Sequence, residues 1–131
     1  MNEPLVYLEV DEVEGLHSRL LELHGGVSGV KSLSLLESAV NRPRFKAHYE
    51  GADLVLQAGA LMFGLAKNHA FNDGNKRIAA VATDVFLQEN GWEIVCDNDT
   101  LASFLERCSE PDWTEEAVVE FLRENLRMLE D

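Results

Sequence analysis

Nine consecutive residues, His69-Ala70-Phe71-Asn72-Asp73-Gly74-Asn75-Lys76-Arg77, hold most of the reactive chemistry in this sequence. His69 is a base with an ordinary pKa near neutrality, suited to taking a proton from a hydroxyl nucleophile. Asp73 is an oxygen ligand of the kind that holds Mg²⁺ against nucleotide phosphates, with water completing the shell. Gly74 allows a turn and a close backbone approach to a phosphate. Asn75 can donate to a phosphate oxygen or bridge to the metal. An apolar-periodic run begins at Ile78, so a helix starting near Gly74 or Asn75 turns unpaired N–H groups and a positive dipole end toward the loop, where anions bind readily. Lys76 and Arg77 fall in that first turn, where the dipole disfavours cations and an anionic partner would compensate them. Phe71 reads as a core plug that fixes the loop. A plain helix-loop-helix turn with a surface Lys76-Arg77 pair explains each piece singly but not their joint occurrence.

The helices on either side must position this loop. Asp53 to Asn68 spaces Leu54, Ala58, Leu61, Met62 and Leu65 for burial and is nearly apolar all round, which marks a central helix. Gly59 and Gly64 each lower its propensity by about 1 kcal/mol, so they imply close approach of a neighbouring helix. After the loop, Ile78, Ala79, Val81, Ala82, Val85 and Phe86 predict a helix running to Asn90-Gly91.

Upstream, Leu5 to Val10 reads as a short strand or extended lead-in. Asp11 with Glu14 reads as a capping box for a helix carrying Val13, Leu16, Leu20 and Leu23 and ending at His24-Gly25-Gly26, with His17 at the surface and His24 in the last turn. Gly25 to Val30 is a loop. Ser34 with Glu37 caps a second helix that ends near Asn41-Arg42-Pro43. That leaves Arg44 to Gly51, with His48 and Tyr49, as a connecting segment of about ten residues. Downstream, Trp92 to Val95 reads as a short strand pairing with Val6 to Leu8, and Asp97 to Asp99 caps a helix bearing Leu101, Phe104, Leu105 and Cys108. Pro111 breaks it, and Asp112 with Glu115 caps a last helix with Val118, Phe121, Leu122, Asn125 and Leu129 facing inward. The expectation is an all-α fold, a compact bundle of about six helices with a minor two-stranded element, as a single domain over residues 1–131.

Composition removes several classes. At 131 residues and 46% hydrophobic content the chain can bury one core. Its longest apolar stretch, Leu54 to Ala66, is interrupted by Gln57 and falls short of the roughly 20 residues a membrane span needs. A basic-then-apolar leader is not evident, so a secretory signal is not supported, and two cysteines without a disulfide framework fit a cytoplasmic protein. Cys96 and Cys108 match no zinc pattern and read as reduced, packed thiols. A net charge of −13 argues against a direct nucleic-acid binder. Any nucleotide needs local cations, which gives weight to Lys76 and Arg77.

His69-x-Phe71-x-Asp73-Gly74-Asn75-Lys76-Arg77 resembles the Fic-domain signature in the form carried by the Doc (death-on-curing) toxin family. Gly25-Gly26, Leu35-Leu36-Glu37-Ser38-Ala39 leading to Arg42-Pro43, Lys67-Asn68 and Asn90-Gly91 extend the resemblance over nearly the whole chain. The resemblance implies transfer from a nucleotide to a protein hydroxyl, with His69 as base and Asp73 as Mg²⁺ ligand. Asn75, Lys76 and Arg77 would be phosphate ligands, and the Gly74 and Asn75 backbone would form part of an anion hole. Fic enzymes that transfer AMP usually have Gly in place of Lys76 and a second Arg in place of Ala80. The departures resemble the Doc branch, in which ATP or another nucleoside triphosphate binds inverted. Its γ-phosphoryl then goes to a threonine of elongation factor Tu, halting translation. AMP transfer and an inactive Fic-fold binding or regulatory module remain the alternatives.

The Ser/Thr of the Fic inhibitory pattern is missing ahead of Glu50-Gly51, Glu89-Asn90 and Glu124-Asn125, which implies an antitoxin protein inhibiting in trans. Arg44 to Gly51 falls where Fic proteins carry a target-aligning flap, and His48 and Tyr49 would contact the target there. A metal-dependent hydrolase using His69 and Asp73 is disfavoured, because a second His-carboxylate cluster is lacking.

Overall fold

The computed structural model describes residues 4–130. Their elements run α1 (Val10–His24), α2 (Leu33–Glu50), α3 (Leu54–Asn68), α4 (Asn75–Glu89), β1 (Trp92–Ile94), α5 (Asn98–Glu106), a 3₁₀ turn (Arg107–Ser109), α6 (Glu115–Glu124) and β2 (Leu126–Met128). The fold is thus six α-helices with a small antiparallel ribbon. No helix among the described residues is long and apolar enough to cross a membrane.

α3 is the axis, as its composition predicts. Ala58, Ala60, Leu61, Met62, Leu65 and Ala66 are all buried, and α2, α4 and α6 pack around them. The two glycines permit this. A Cβ on Gly59 would stand 2.5 Å from Val119 Cγ2 of α6, and one on Gly64 would stand 3.3 Å from the Ala39 Cα of α2. Asp53 caps α3 by accepting from the Leu56 N–H at 2.9 Å. That backbone hydrogen bond, aided by Arg123, holds the Asp53 carboxyl below its ordinary value.

Several sequence expectations are corrected. α2 does not stop at Pro43 but runs through it to Glu50, where Gly51 closes the helix in a left-handed conformation. Pro43 removes one helical hydrogen bond, yet the turns around it are held from outside. Arg42 and Lys46 pair with Glu115 of α6, and Arg44 pairs with Glu9. Arg44 to Gly51 is therefore helix rather than a connecting segment. The caps also sit elsewhere. Glu9 and Glu12 form the α1 capping box, Ser32 caps α2, and Thr114 caps α6.

Leu5 to Val10 forms no strand. Val6 instead hydrogen-bonds through its main chain to the Asn90 carboxamide. β1 pairs with β2, Trp92 opposite Met128 and Ile94 opposite Leu126, so the last helix ends at Glu124, short of Asn125 and Leu129. In α1 the buried positions are Val13 and His17, whereas Leu23 is 75% exposed.

The Gly59 contact yields a stability prediction. Gly59→Ala gains helix propensity of about 1 kcal/mol, but Val119 is β-branched and stiff on its helix, so α6 must move. We expect a lowered thermal midpoint from a net loss of about 1–3 kcal/mol, largely restored by Val119→Ala in the same chain. A raised midpoint for Gly59→Ala alone would refute the close α3–α6 approach.

Candidate functional site

The candidate site is the turn between α3 and α4. Its geometry begins with the end of α3, which is anchored on both sides. Lys67 Nζ donates to the Cys108 carbonyl at 2.5 Å, and Asn68 Nδ2 donates to the Leu35 carbonyl at 3.0 Å. His69 then leaves the helix with φ 50°, the one positive-φ residue other than glycine among those described. Such a conformation is uncommon outside glycine, and the bonds on either side hold it in place. The Ala70 carbonyl accepts from Lys31 N at 2.7 Å and Ser32 N at 3.0 Å. His69 is consequently exposed at the loop surface while its neighbours Ala70 and Phe71 are buried.

Phe71 is the plug that its type predicts. It is 2% exposed, and its main chain pairs with Val30 in an isolated antiparallel bridge. Asn75 closes the loop beneath it. The carboxamide accepts from the Phe71 N–H at 3.1 Å and donates to the Phe71 carbonyl at 3.0 Å. This turns the Asn75 side chain inward toward the loop. What Asn75 offers an anion is chiefly its backbone N–H.

Gly74 caps α4 with φ +76°, and α4 has no side-chain cap and no acidic residue in its first turn. The Gly74 N–H is already taken by Asp73 Oδ1 at 2.9 Å, and the first helical bond runs from Ile78 N to the Gly74 carbonyl. The N–H groups of Asn75, Lys76 and Arg77 precede that bond and have no intrahelical acceptor, so they are the donors this helix end offers to an anion. Asp73 is exposed and its second carboxylate oxygen accepts from Val27 N at 3.2 Å. Each oxygen of Asp73 thus spends one lone pair on a main-chain N–H and keeps others for a cation. Clusters of three or more His, Cys, Asp or Glu suited to a metal are absent among the described residues. The Asp73 carboxylate by itself is a hard oxygen donor, of the kind that Mg²⁺ takes alongside phosphate and water.

Lys76 and Arg77 line a cavity of about 560 Å³ beside α4, together with Ala80, Ile94, Leu101 and Glu106. Lys76 Nζ lies 3.2 Å from Glu106 Oε2, with Lys76 half-buried and Glu106 largely exposed. Such a pair contributes only about 0–1 kcal/mol and yields readily to a stronger anion. Arg77 is exposed and makes no ion pair among the described residues. Cys96 also lines this cavity. Burial, reinforced by the charge of Asp97, pushes its thiol up, so it is a neutral wall group and not a thiolate nucleophile.

Two placements differ from expectation. His48 and Tyr49 lie exposed on the last turn of α2, their rings 4.6 Å apart. α2 begins beside the loop at Ser32 and ends beside the start of α3, so these residues stand roughly 20 Å from His69 along the helix pair. They do not overlook the site, and the flap reading fails with the loop it assumed. His17 is not at the surface. It is 3% exposed, its ring stacks on Phe71 at 3.7 Å, and its Nε2 lies 2.7 Å from the Asp73 carbonyl oxygen. The signal was its spacing, one turn after Val13 and one before Leu20 and Leu21, on the face toward the core.

The family model described as "Fic/DOC family" matches residues 7–87. The chain is similar to the protein named Toxin Doc of Mycolicibacterium smegmatis, with 42% identity over 79 residues, 57% of this chain and 59% of that protein. It is also similar to Protein kinase doc of Escherichia phage P1, with 28% identity over 89 residues, 67% of this chain and 71% of that protein. The matched region thus spans less than two thirds of the mycobacterial relative.

Asn75 supplies the prediction for this geometry. Asn75→Ala leaves the Phe71 N–H and carbonyl unpartnered, which should cost about 1–3 kcal/mol and speed hydrogen exchange at the Phe71 amide. Asn75→Asp keeps the acceptor and should slow that exchange again at neutral pH. Unchanged exchange at Phe71 in Asn75→Ala would contradict the clamp.

Proposed function

The chain belongs to the Fic/DOC family, and on that premise we propose that it is a Doc-like toxin acting as a protein kinase. It would transfer the γ-phosphoryl group of ATP to a protein hydroxyl. The observation that carries the reading is the shared cavity of Lys76, Arg77 and Ala80. A lysine amine occupies the groove where AMP transfer would need room for phosphates, and alanine stands where that reaction would need a second arginine. What remains is a cationic helix end suited to phosphates in the opposite orientation.

Phosphoryl transfer depends on positioning and charge stabilisation more than on covalent chemistry by the protein. His69, exposed at the loop surface, takes the proton from the attacking hydroxyl. That oxygen forms a bond to the γ-phosphorus as the bond to the bridging oxygen breaks, giving a phosphomonoester and ADP. The Asn75, Lys76 and Arg77 N–H groups and the two cations hold the departing phosphates. Asp73 would hold Mg²⁺, which supplies charge neutralisation on the phosphates.

The target follows from the same resemblance: a threonine of elongation factor Tu, so that translation stops in the cytoplasm. An antitoxin protein would restrain the toxin in trans. The names of the two relatives support the toxin and kinase reading.

Incubation with elongation factor Tu and ATP labelled at either the α or the γ position tests the proposal. Label from the γ position alone should reach the factor; label from the α position would mean AMP transfer and overturn the kinase reading. His69→Ala should lower transfer by about 10²–10⁴-fold with nucleotide affinity nearly unchanged, and Lys76→Ala should weaken nucleotide binding. Full activity in His69→Ala would remove the general-base role.

A further inference from the structure

His17 is a buried titratable side chain that the proposed chemistry does not use, and it meets the loop at its most consequential peptide. Its acceptor is a carbonyl oxygen, so the ring nitrogen 2.7 Å away must carry the proton and donate it. The same peptide unit that contributes the Asp73 carbonyl contributes the Gly74 N–H, and that N–H donates to Asp73 Oδ1 at 2.9 Å. Fixing the carbonyl therefore fixes the plane whose other end holds the carboxylate. The ring cannot drift, because it is stacked on Phe71 with 15° between planes and is 3% exposed. Space is also fitted to it: a Cβ on Gly74 would stand 3.4 Å from His17 Nε2.

From this geometry we infer that His17 is a positioning residue for the Asp73 carboxylate, acting through the Asp73–Gly74 peptide to aim it at a phosphate-bound divalent cation. The inference rests on the proposed nucleotide site. It assigns α1 a part in the chemistry although α1 contributes no group to the reacting atoms. It also separates the ring's two functions: stacking supports Phe71, while the Nε2–H orients the peptide. Phenylalanine keeps the first and loses the second. Glutamine keeps a donor at nearly the same reach.

Calorimetric titration of the full chain with Mg·ATP, and with ATP in the presence of chelator, tests it. His17→Phe should weaken Mg·ATP binding by about 10- to 100-fold and leave metal-free ATP binding as in the parent protein, since Asp73 contributes nothing there. His17→Gln should recover most of the loss. Equal Mg·ATP affinity in parent and His17→Phe would overturn the inference, and so would equal losses with and without metal, which mark a general loosening of the loop. A parent protein without affinity for Mg·ATP overturns the nucleotide reading and this inference with it. Nitrogen-15 spectra of the parent's histidine rings give a check independent of how the variants fold. The His17 ring should carry its proton on Nε2, slow to exchange, and a ring protonated at Nδ1 alone would overturn the assignment.

Discussion

The site depends on how Phe71 is held. Its side chain is buried, its ring lies against His17, its main chain pairs with Val30, and both of its main-chain polar groups are taken by the carboxamide of Asn75. Asn75 is also the first residue of α4. A single side chain thus ties the middle of the loop to the start of the helix that follows, and the loop cannot change shape without losing two hydrogen bonds at once. His69 and Asp73, two residues to either side of Phe71, inherit their positions from that pin. Preorganisation of this kind serves a reaction that needs placement above all.

The charge distribution follows from the same turn. In a chain of net charge −13, α4 opens with two cations, no acidic neighbour in its first turn and main-chain N–H groups pointing outward. That arrangement is unfavourable until an anion arrives, because dipole and side chains repel one another. Glu106 relieves it partly, from an exposed position that a polyphosphate can displace. The helix end is in this sense built for a ligand more anionic than any group the described protein residues provide.

Legibility in the sequence divides along local and distant causes. α3, α4 and the loop between them rest on signals a few residues long: an apolar run, a turn glycine, a stop at Asn90-Gly91. They appear where the sequence places them. α2 beyond Pro43 does not, because the proline penalty is local while what outweighs it is distant in the chain: Leu36, Ala39, Val40 and Pro43 are buried as α2 packs on α3, and ion pairs reach to Glu115 and Glu9. β2 depends on finding β1 as a partner. Its Leu126 and Met128 fit a strand as well as Leu122, Asn125 and Leu129 fit a helix, and only pairing decides. The caps shift by a few residues where several cap-competent side chains adjoin. His17 reads as surface because a histidine on a helix is polar, although its spacing places it with Val13.

On the proposed reading, the start of α4 and the loop before it are a preformed site for a metal-bound nucleoside triphosphate. An amide-resolved nuclear magnetic resonance titration with Mg·ATP tests it most directly. The largest shifts should fall at the Asn75, Lys76 and Arg77 amides, with Phe71 and the α3 amides nearly still because the loop is already in place. Saturable binding that leaves those three amides unmoved and perturbs another surface, or a titration with no shifts at all, would contradict it.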